Sequence, residues 1–294
     1  VVLGYLCSNL IAKIMMVLNP TIENQSGNVA NLPFHDQRIA VIKPKVDDIV
    51  KKAVELAEKD WNNYEISWKY FGHPCIAHSA SEKVECSYNI WLAKCQKDIN
   101  LLRELERNNN LLFIEAYNLQ EELTPEIPEA HITLTVNPKY RYGAGLTDAE
   151  YQTRFRHDST KELLSYAVGC MMGRYSLDKP GLIYAHSCNE GFDHSQYKTF
   201  PADDDGIIPV SDIDWFTDDA SLRLIEFIRV VFGQEHLEVN LAWIAESFDP
   251  KKGEVPVDTI RRYFSTQFFK NHMQMYKKRP IYWLFSSGKQ KAFE

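Results

Sequence analysis

Apolar residues recur at every third or fourth position in several stretches of the chain, the spacing that places side chains on one face of an α-helix. The longest such stretch runs from Ser81 to about Gln120, and charged residues fill the positions between the apolar ones. We predict one long amphipathic helix here, interrupted at the asparagine run Asn108–Asn110. Its apolar face is formed by Val84, Tyr88, Trp91, Cys95, Ile99, Leu102 and Leu105.

The same spacing predicts further helices, with Pro44 as a first helical residue, Asp218 as a cap and Gly233 as a terminator. Two short apolar runs, Ile132–Val136 and Ile281–Phe285, predict strands. The expected fold class is mainly α (α+β): an amphipathic helical spacer followed by a helix-rich C-terminal domain with a few short strands. The further helices cover residues 1–18, 44–57, 160–173, 219–232, 235–248 and 257–276.

Helix-breaking residues divide the chain. Residues 124–157 contain several prolines and glycines, so we expect a linker or excursion there. The predicted parts are therefore residues 1–38, a helical spacer at 39–123, this linker, and a helix-rich domain at 158–294. Within the last part, Gly169 and Gly173 lie one helical turn apart, which favours close packing of the backbone.

Composition indicates a globular protein, because 45% of residues are hydrophobic and 25% are charged. No uniformly apolar run approaches the roughly 20 residues that a membrane span needs. The apolar stretch Val1–Leu18 lacks an initiator Met and a basic region, so we predict no signal peptide and take the chain to be a fragment. The six cysteines contain no CxxC pair, which favours reduced thiols in a cytoplasmic protein.

Charge is unevenly distributed along the chain. The net charge of -7 argues against a protein that coats nucleic acid generally, but it allows a local basic surface. Seven aspartates crowd residues 203–219. The C-terminal end instead gathers Lys270, Lys277, Lys278, Arg279, Lys289 and Lys291.

Catalytic motifs of a DNA amino-methyltransferase are missing from the sequence. Such an enzyme needs a Gly-rich cofactor loop after a strand and an Asn/Asp-Pro-Pro-aromatic corner that grips the flipped base. The nearest match, Asn19-Pro20-Thr21-Ile22, lacks the second proline and the aromatic residue. Ser286-Ser287-Gly288-Lys289 resembles half of a phosphate loop, but Trp283 takes the place of the first Walker glycine. We predict no catalytic residue and no cofactor site in this chain.

Two other clusters have weaker chemical signals. Potential zinc ligands lie close in sequence but lack the paired spacing of zinc sites, so we predict no metal; they are His73, Cys75, His78 and Cys86. Aromatic residues gather nearby, and their helical spacing favours a place in the core over a platform for stacking bases; they are Trp61, Tyr64, Trp68 and Tyr70.

Particular stretches carry a resemblance to a known family. The most specific is residues 164–178, Leu-Ser-Tyr-Ala-Val-Gly-Cys-Met-Met-Gly-Arg-Tyr-Ser-Leu-Asp, followed by Ile207–Val210 and Lys278–Phe285. Together with four shorter stretches, they resemble, in order along the chain, the C-terminal part of the PglX methyltransferases of BREX phage-defence systems and related fused restriction–modification enzymes. The shorter stretches are Leu3–Asn9, Leu18–Ile22, Asp60–Trp68 and His73-Pro74.

The resemblance implies a parent protein that methylates adenine N6 in DNA with S-adenosylmethionine. It also implies that this chain lies downstream of the catalytic domain, with residues 1–38 as the end of the segment that follows the methyltransferase core. The isolated chain is then expected to be inactive and to hold no cofactor of its own.

Two functions remain open. In the first, the segment recognises and clamps double-stranded DNA for the methyltransferase domain of the same parent chain. Its candidate DNA-binding residues are Arg141, Arg174, Lys277, Lys278, Arg279 and Lys289. In the alternative, the segment is a scaffold that docks other defence-system subunits through its acidic surface. A continuous basic face favours DNA, whereas an exposed apolar patch rimmed by acids favours a protein partner.

Overall fold

Helices dominate the computed structural model, which describes residues 1–19, 26–77, 81–186, 190–211, 213, 215–287 and 290–293. The predicted mainly α class with a few short strands is confirmed. The α-helices are α1 Val2–Leu6, α2 Asn9–Leu18, α3 Ser26–Ala30, α4 Asp36–Trp61, α5 Pro74–Ala77, α6 Val84–Tyr117, α7 Pro138–Arg141, α8 Asp148–Met171, α9 Ala220–Phe232, α10 Leu237–Glu246, α11 Pro256–Tyr263 and α12 Phe269–Met275.

A small antiparallel sheet completes the secondary structure. Its strands are β1 Ile208–Val210, β2 Leu284–Ser287 and β3 Gln290–Phe293, in the order β1-β3-β2. Phe293 on the central strand pairs with Ile208 on one side and with Leu284 on the other. The predicted strand at the C-terminal apolar run is therefore present, but it begins at Leu284.

The chain forms two compact units. Unit 1 comprises residues 1–60 and 94–146, and unit 2 comprises residues 61–93 and 147–294. No helix in the described part of the chain is both long and apolar enough to cross a membrane.

The core of unit 1 gathers apolar side chains from α1, α2, α4 and α6. The predicted helix over residues 1–18 is broken, because the Ser8 side chain accepts a hydrogen bond from the amide of Ile11 and caps a new helix. Helix α4 begins at Asp36 and not at Pro44, which lies inside it. The buried core residues are Tyr5, Leu10, Ile11, Leu32, Ile39, Val46 and Phe113.

Helix α6 runs unbroken through the asparagine run, so the predicted interruption is wrong. Asparagines break helices when their side chains bond to local backbone. Here the Asn109 amide donates to the carbonyl of Gly4 at 2.8 Å, and the Asn110 Oδ1 accepts from the amide of Asn9 at 2.8 Å. A Cβ on Gly4 would lie 2.7 Å from the Asn109 Oδ1, so α1 approaches α6 closely only because residue 4 is glycine.

The predicted strand Ile132–Val136 is wrong, although its alternation does separate buried from less buried positions. The Asp60 carboxylate accepts the amides of Thr135 at 2.6 Å and Val136 at 3.1 Å. The Asn137 side chain donates to the carbonyl of Ile132 at 2.9 Å. Side chains thus satisfy the backbone groups that a neighbouring strand would otherwise pair.

In unit 2, capping residues set the helix boundaries. Helix α8 starts at Asp148, earlier than predicted, because Thr147 and Glu150 form a capping box. Asp219 caps α9 in place of the predicted Asp218, since its carboxylate accepts the amide of Ser221 at 2.9 Å. The predicted terminator Gly233 does end α9, at φ 83°. The predicted helix over 257–276 is instead α11 and α12, joined by a π-helical turn at Phe264–Phe268.

Replacing Asp60 with alanine should destabilise unit 1. The change leaves the amides of Thr135 and Val136 without their acceptor, so we expect the free energy of unfolding to fall by about 2–4 kcal/mol in urea denaturation. The matched control is Asp48→Ala on the same helix, which removes only an exposed ion pair with Lys52 and should cost less than about 1 kcal/mol. An equal loss in both variants would contradict the role of Asp60.

Glu106 on α6 should make the stability of unit 1 depend on pH. Burial raises the pKa of its carboxyl to about 7, whereas the unfolded chain ionises near 4.5. The unfolded state therefore loses its proton first, and stability falls as pH rises from about 4.5 to 7. Glu106→Gln should remove this loss, gaining up to about 3 kcal/mol at pH 8 and little at pH 4. Urea denaturation of both proteins at the two pH values measures the difference, and a pH-independent gap would refute it.

Candidate nucleic-acid interface

Three predicted DNA-binding residues, Lys277, Lys278 and Arg279, lie together in the loop that ends α12, and all three are exposed. The loop is tightly closed. The amide of Lys278 donates to the carbonyl of Met273 at 2.7 Å, and that of Arg279 donates to Tyr276 at 2.9 Å. Lys277 and Lys278 adopt φ values of 50° and 64°. Such left-handed conformations cost a non-glycine residue roughly 1 kcal/mol or more each, so the loop holds these cations in a fixed and strained backbone.

The other three candidates lie elsewhere. Arg174 belongs to unit 2 and follows α8, where its Nε donates to the Tyr175 hydroxyl at 3.2 Å. Arg141 belongs to unit 1, at the end of α7, with its guanidinium 5.6 Å from the ring centre of Tyr142. Lys289 lies outside the described residues. We call the loop Lys277–Arg279 the basic loop. Arg174 lines a cavity, and the basic loop begins at the wall of the same cavity.

This cavity, of about 220 Å³, lies in unit 2 between the segment after α4, the turn after α8 and the end of α12. Glu65, Trp68, Arg174 and Tyr276 line it, together with apolar side chains including Leu182. Tyr276 directly precedes Lys277, so the basic loop continues from the cavity wall. We call this space the Trp68 cavity.

A single carboxylate organises the polar wall. Glu65 accepts hydrogen bonds from the hydroxyls of Ser165 at 2.6 Å, Tyr276 at 2.9 Å and Tyr175 at 3.3 Å. Burial, and after it the Glu65 charge, raises the pKa of Tyr175 and of Tyr276 well above the usual value. The two phenols therefore stay protonated and remain donors. Glu65 and Tyr276 are not among the residues that the sequence predicts for a site, because no local pattern marks their partners.

The turn after α8 depends on close packing at Gly169, as its spacing predicted. A Cβ on Gly169 would lie 2.4 Å from the Tyr175 ring, and the carbonyl of Gly169 accepts the amides of Arg174 and Tyr175 at 2.8 and 3.1 Å. Gly173 has φ 71°, and a Cβ there would lie 2.5 Å from the Phe192 ring. The glycines thus place Arg174 and Tyr175 at the cavity.

The aromatic cluster only partly forms core. Tyr70 is buried and meets the rings of Tyr166 and Tyr175 edge to face, as a core position predicts. Trp68, however, is 96% exposed, and Trp61 is 49% exposed, so the core prediction is wrong for both. Helix α4 ends at Trp61, and the assumed helical face over residues 61–68 does not exist. The turn-forming pair Asn62-Asn63 was the available signal.

In the predicted cluster of potential zinc ligands, His73 forms hydrogen bonds to backbone groups. His73 is buried, with Nε2 3.1 Å from the carbonyl of Ser159 and Nδ1 accepting the amide of Cys75 at 3.3 Å. Burial lowers the pKa of His73 to about 3, so the ring stays neutral. His78 lies outside the described residues. Glu82, Glu235 and His236 bring three ligand-type atoms within 4.8 Å of one another at a largely exposed position.

Comparison with known proteins agrees with the predicted resemblance. The chain is 47% identical over 285 residues to the adenine-specific methyltransferase BrxX of Escherichia coli O9:H4 (strain HS), an alignment that covers 94% of the chain. The chain is a relative of one segment of the BrxX and PglX methyltransferases. It is 33% identical over 299 residues, 99% of its length, to the adenine-specific methyltransferase PglX of Lacticaseibacillus casei (strain Zhang). The chain spans 23% of the length of each of these BrxX and PglX relatives, and no family model matches it.

Gly169→Ala should disturb the Trp68 cavity in this BrxX and PglX relative. The added methyl meets the Tyr175 ring, so we expect the free energy of unfolding to fall by about 1–3 kcal/mol. Gly27→Ala is the matched control, since its Cβ meets nothing within 4 Å in a helix and should be neutral or slightly stabilising. Thermal and urea unfolding of the two variants measures the difference; equal stabilities would mean that Tyr175 shifts at no cost.

Proposed function

We propose that this chain is the DNA-recognition and clamping portion of an adenine-specific (N6) DNA methyltransferase of a phage-defence system. The names of its relatives support adenine-specific methyl transfer as the activity of the parent protein. The missing cofactor loop and base-gripping corner support a binding role for this segment, with S-adenosylmethionine bound by the methyltransferase domain of the same parent chain.

The observation that carries the proposal is the basic loop Lys277–Arg279. Its three cations are exposed, adjacent and held on a closed backbone, and none forms an ion pair with another described residue. Cations left without partners attract phosphates, and their fixed spacing reduces the ordering cost of binding. Because the chain as a whole carries a charge of -7, attraction to DNA must be local to such a loop.

Exposed aromatic residues adjoin the loop in sequence and strengthen this interpretation. Trp283 is 72% exposed and Phe285 is 56% exposed, the latter on the edge strand β2. Exposed aromatic rings close to cations are typical of surfaces that contact both phosphates and bases. Arg174 in unit 2 and Arg141 in unit 1 are further candidates for DNA contact, and Lys289 completes the set.

A second function, docking of other defence-system subunits, is favoured by a different surface. Ile213, Trp215 and Phe216 are each 46–58% exposed within the acidic stretch at 203–219. Exposed apolar side chains flanked by acids are the pattern expected for a protein partner. This surface and the basic loop are separate segments of unit 2, so the two functions are compatible.

Neutralising the basic loop should flatten the salt dependence of DNA binding. Each released phosphate contact contributes about 0.9 to the slope of log affinity against log salt, so the triple variant Lys277→Ala, Lys278→Ala, Arg279→Ala should lower the slope by about 2–3. Fluorescence anisotropy with a labelled duplex between 25 and about 200 mM salt measures it.

The matched control removes the same charge from other exposed positions of unit 2, with Arg154→Ala, Lys251→Ala and Lys252→Ala. This control should leave the slope unchanged. If the loop variant folds and binds with the parental slope, the clamp does not lie at this loop, and docking of a protein partner becomes the better explanation.

A further inference from the structure

We propose that the Trp68 cavity receives one unstacked nucleobase of the bound DNA, with the ring against Trp68 and a polar edge toward Arg174. The inference rests on the proposed DNA-binding function and assigns a ligand to a site that phosphate clamping does not use. It is carried by the exposure of Trp68, the donors and acceptors in the cavity wall, the size of the cavity and its continuity with the basic loop.

Trp68 supplies a stacking surface. Its side chain is 96% exposed although tryptophan is among the side chains that gain most from burial, and the cavity opens beside it. Leu182, which is 45% exposed, and Ile66, which is 42% exposed, extend the apolar wall. An indole with apolar neighbours stacks on a nucleobase of any sequence, because every base has a π-face.

The polar wall presents hydrogen-bonding groups of both kinds. The Nε of Arg174 is engaged by Tyr175, but no described residue accepts a hydrogen bond from its two Nη atoms. A guanidinium fork of this kind matches the paired acceptors on a base edge. The Glu65 carboxylate, which already accepts three hydroxyls, lies in the same wall and can accept an amino group.

This combination favours a base over a phosphate. A phosphate brought to Arg174 would also approach the Glu65 carboxylate, and like charges repel. A nucleobase is neutral and carries donors and acceptors on one planar edge, so it satisfies both groups. Cavities for cofactors and drug-sized ligands measure roughly 300–1,000 Å³. At about 220 Å³, the Trp68 cavity suits one planar ring system.

The basic loop would deliver the base. Tyr276 lines the cavity and is covalently followed by Lys277, so a phosphate held at Lys277 or Lys278 brings its own nucleotide to the cavity mouth. Extruding a paired base costs a few kcal/mol, and stacking on an aromatic side chain returns about 1–3 kcal/mol. The cavity therefore favours nucleotides that are already unpaired.

The test compares two kinds of duplex bound by the full chain. One carries a single unpaired nucleotide, made in four versions with each base, and the other carries an abasic residue at that place, so the phosphates are identical. We expect at least one base to bind roughly 5- to 150-fold more tightly than the abasic duplex. Trp68→Ala should abolish this difference and leave the affinity for the abasic duplex unchanged.

Control variants distinguish a role of the Trp68 cavity from the effect of losing any exposed tryptophan and from the effect of charge. Trp68 is almost fully exposed, so its removal should preserve the fold, which circular dichroism verifies. Trp215→Ala removes another exposed tryptophan of unit 2, outside the Trp68 cavity, and should retain the preference for the base. Arg174→Lys keeps the charge but loses the fork, and should reduce the preference while leaving the salt slope intact.

Equal binding of the base-containing and abasic duplexes overturns the inference, as does an equal loss for both in Trp68→Ala. If Arg174→Lys weakens both duplexes alike, Arg174 binds a phosphate and the inference is again wrong. In these cases DNA still binds and the proposed clamping function stands. Failure of the chain to bind any duplex would instead refute the clamping function, and with it the cavity's ligand.

Discussion

The Glu65 carboxylate connects parts of unit 2 that lie far apart in the sequence. Its hydrogen bonds reach Ser165 on α8, Tyr175 in the following turn and Tyr276 beyond α12, and the first and last of these are separated by more than one hundred residues. A half-buried carboxylate needs hydrogen-bond partners in place of lost water, and these three hydroxyls supply them. Arg174, the wall of the Trp68 cavity and the start of the basic loop all adjoin the point where these hydroxyls meet.

Unit 1 uses the same physical device for a different end. There the Asp60 carboxylate binds two backbone amides of a segment that has neither helix nor strand. In unit 2 the Glu65 carboxylate binds three side-chain hydroxyls beside a cavity. In unit 1 the Asp60 carboxylate instead binds the backbone of a loop. Each of these acceptors joins segments that are distant in sequence but belong to the same compact unit.

Sequence pattern predicted features that depend on near neighbours. The long helix α6, the terminator Gly233 and the close packing at Gly169 were all foreseeable, because spacing and backbone conformation determine them. The unbroken passage of α6 through Asn108–Asn110 was not, since those side chains bond to residues about one hundred positions away.

The candidate site divides in the same way. The cluster Lys277–Arg279 was visible as a run of charge, and Arg174 lay within the stretch with the most specific family resemblance. Glu65 lay within the matching stretch Asp60–Trp68 but gave no chemical signal of its own, because a lone acid after a helix is ordinary and its partners are Ser165 and Tyr276. Trp68 was assigned to the core because helical spacing was extended past the true end of α4. Exposure of a large aromatic side chain depends on the tertiary fold, which periodicity does not describe.

The left-handed backbone of Lys277 and Lys278, in the loop after α12, limits which anionic ligands the loop can match. Their backbone is closed by hydrogen bonds to Met273 and Gln274, so the separation between the two ammonium groups is limited by side-chain reach and not by loop motion. A ligand with anionic groups at regular intervals along a chain would match that separation repeatedly as it slides past. Such a loop would respond to the spacing of the anionic groups and not to the sequence of the polyanion. Discrimination between bases would then depend on neutral, shape-dependent contacts elsewhere.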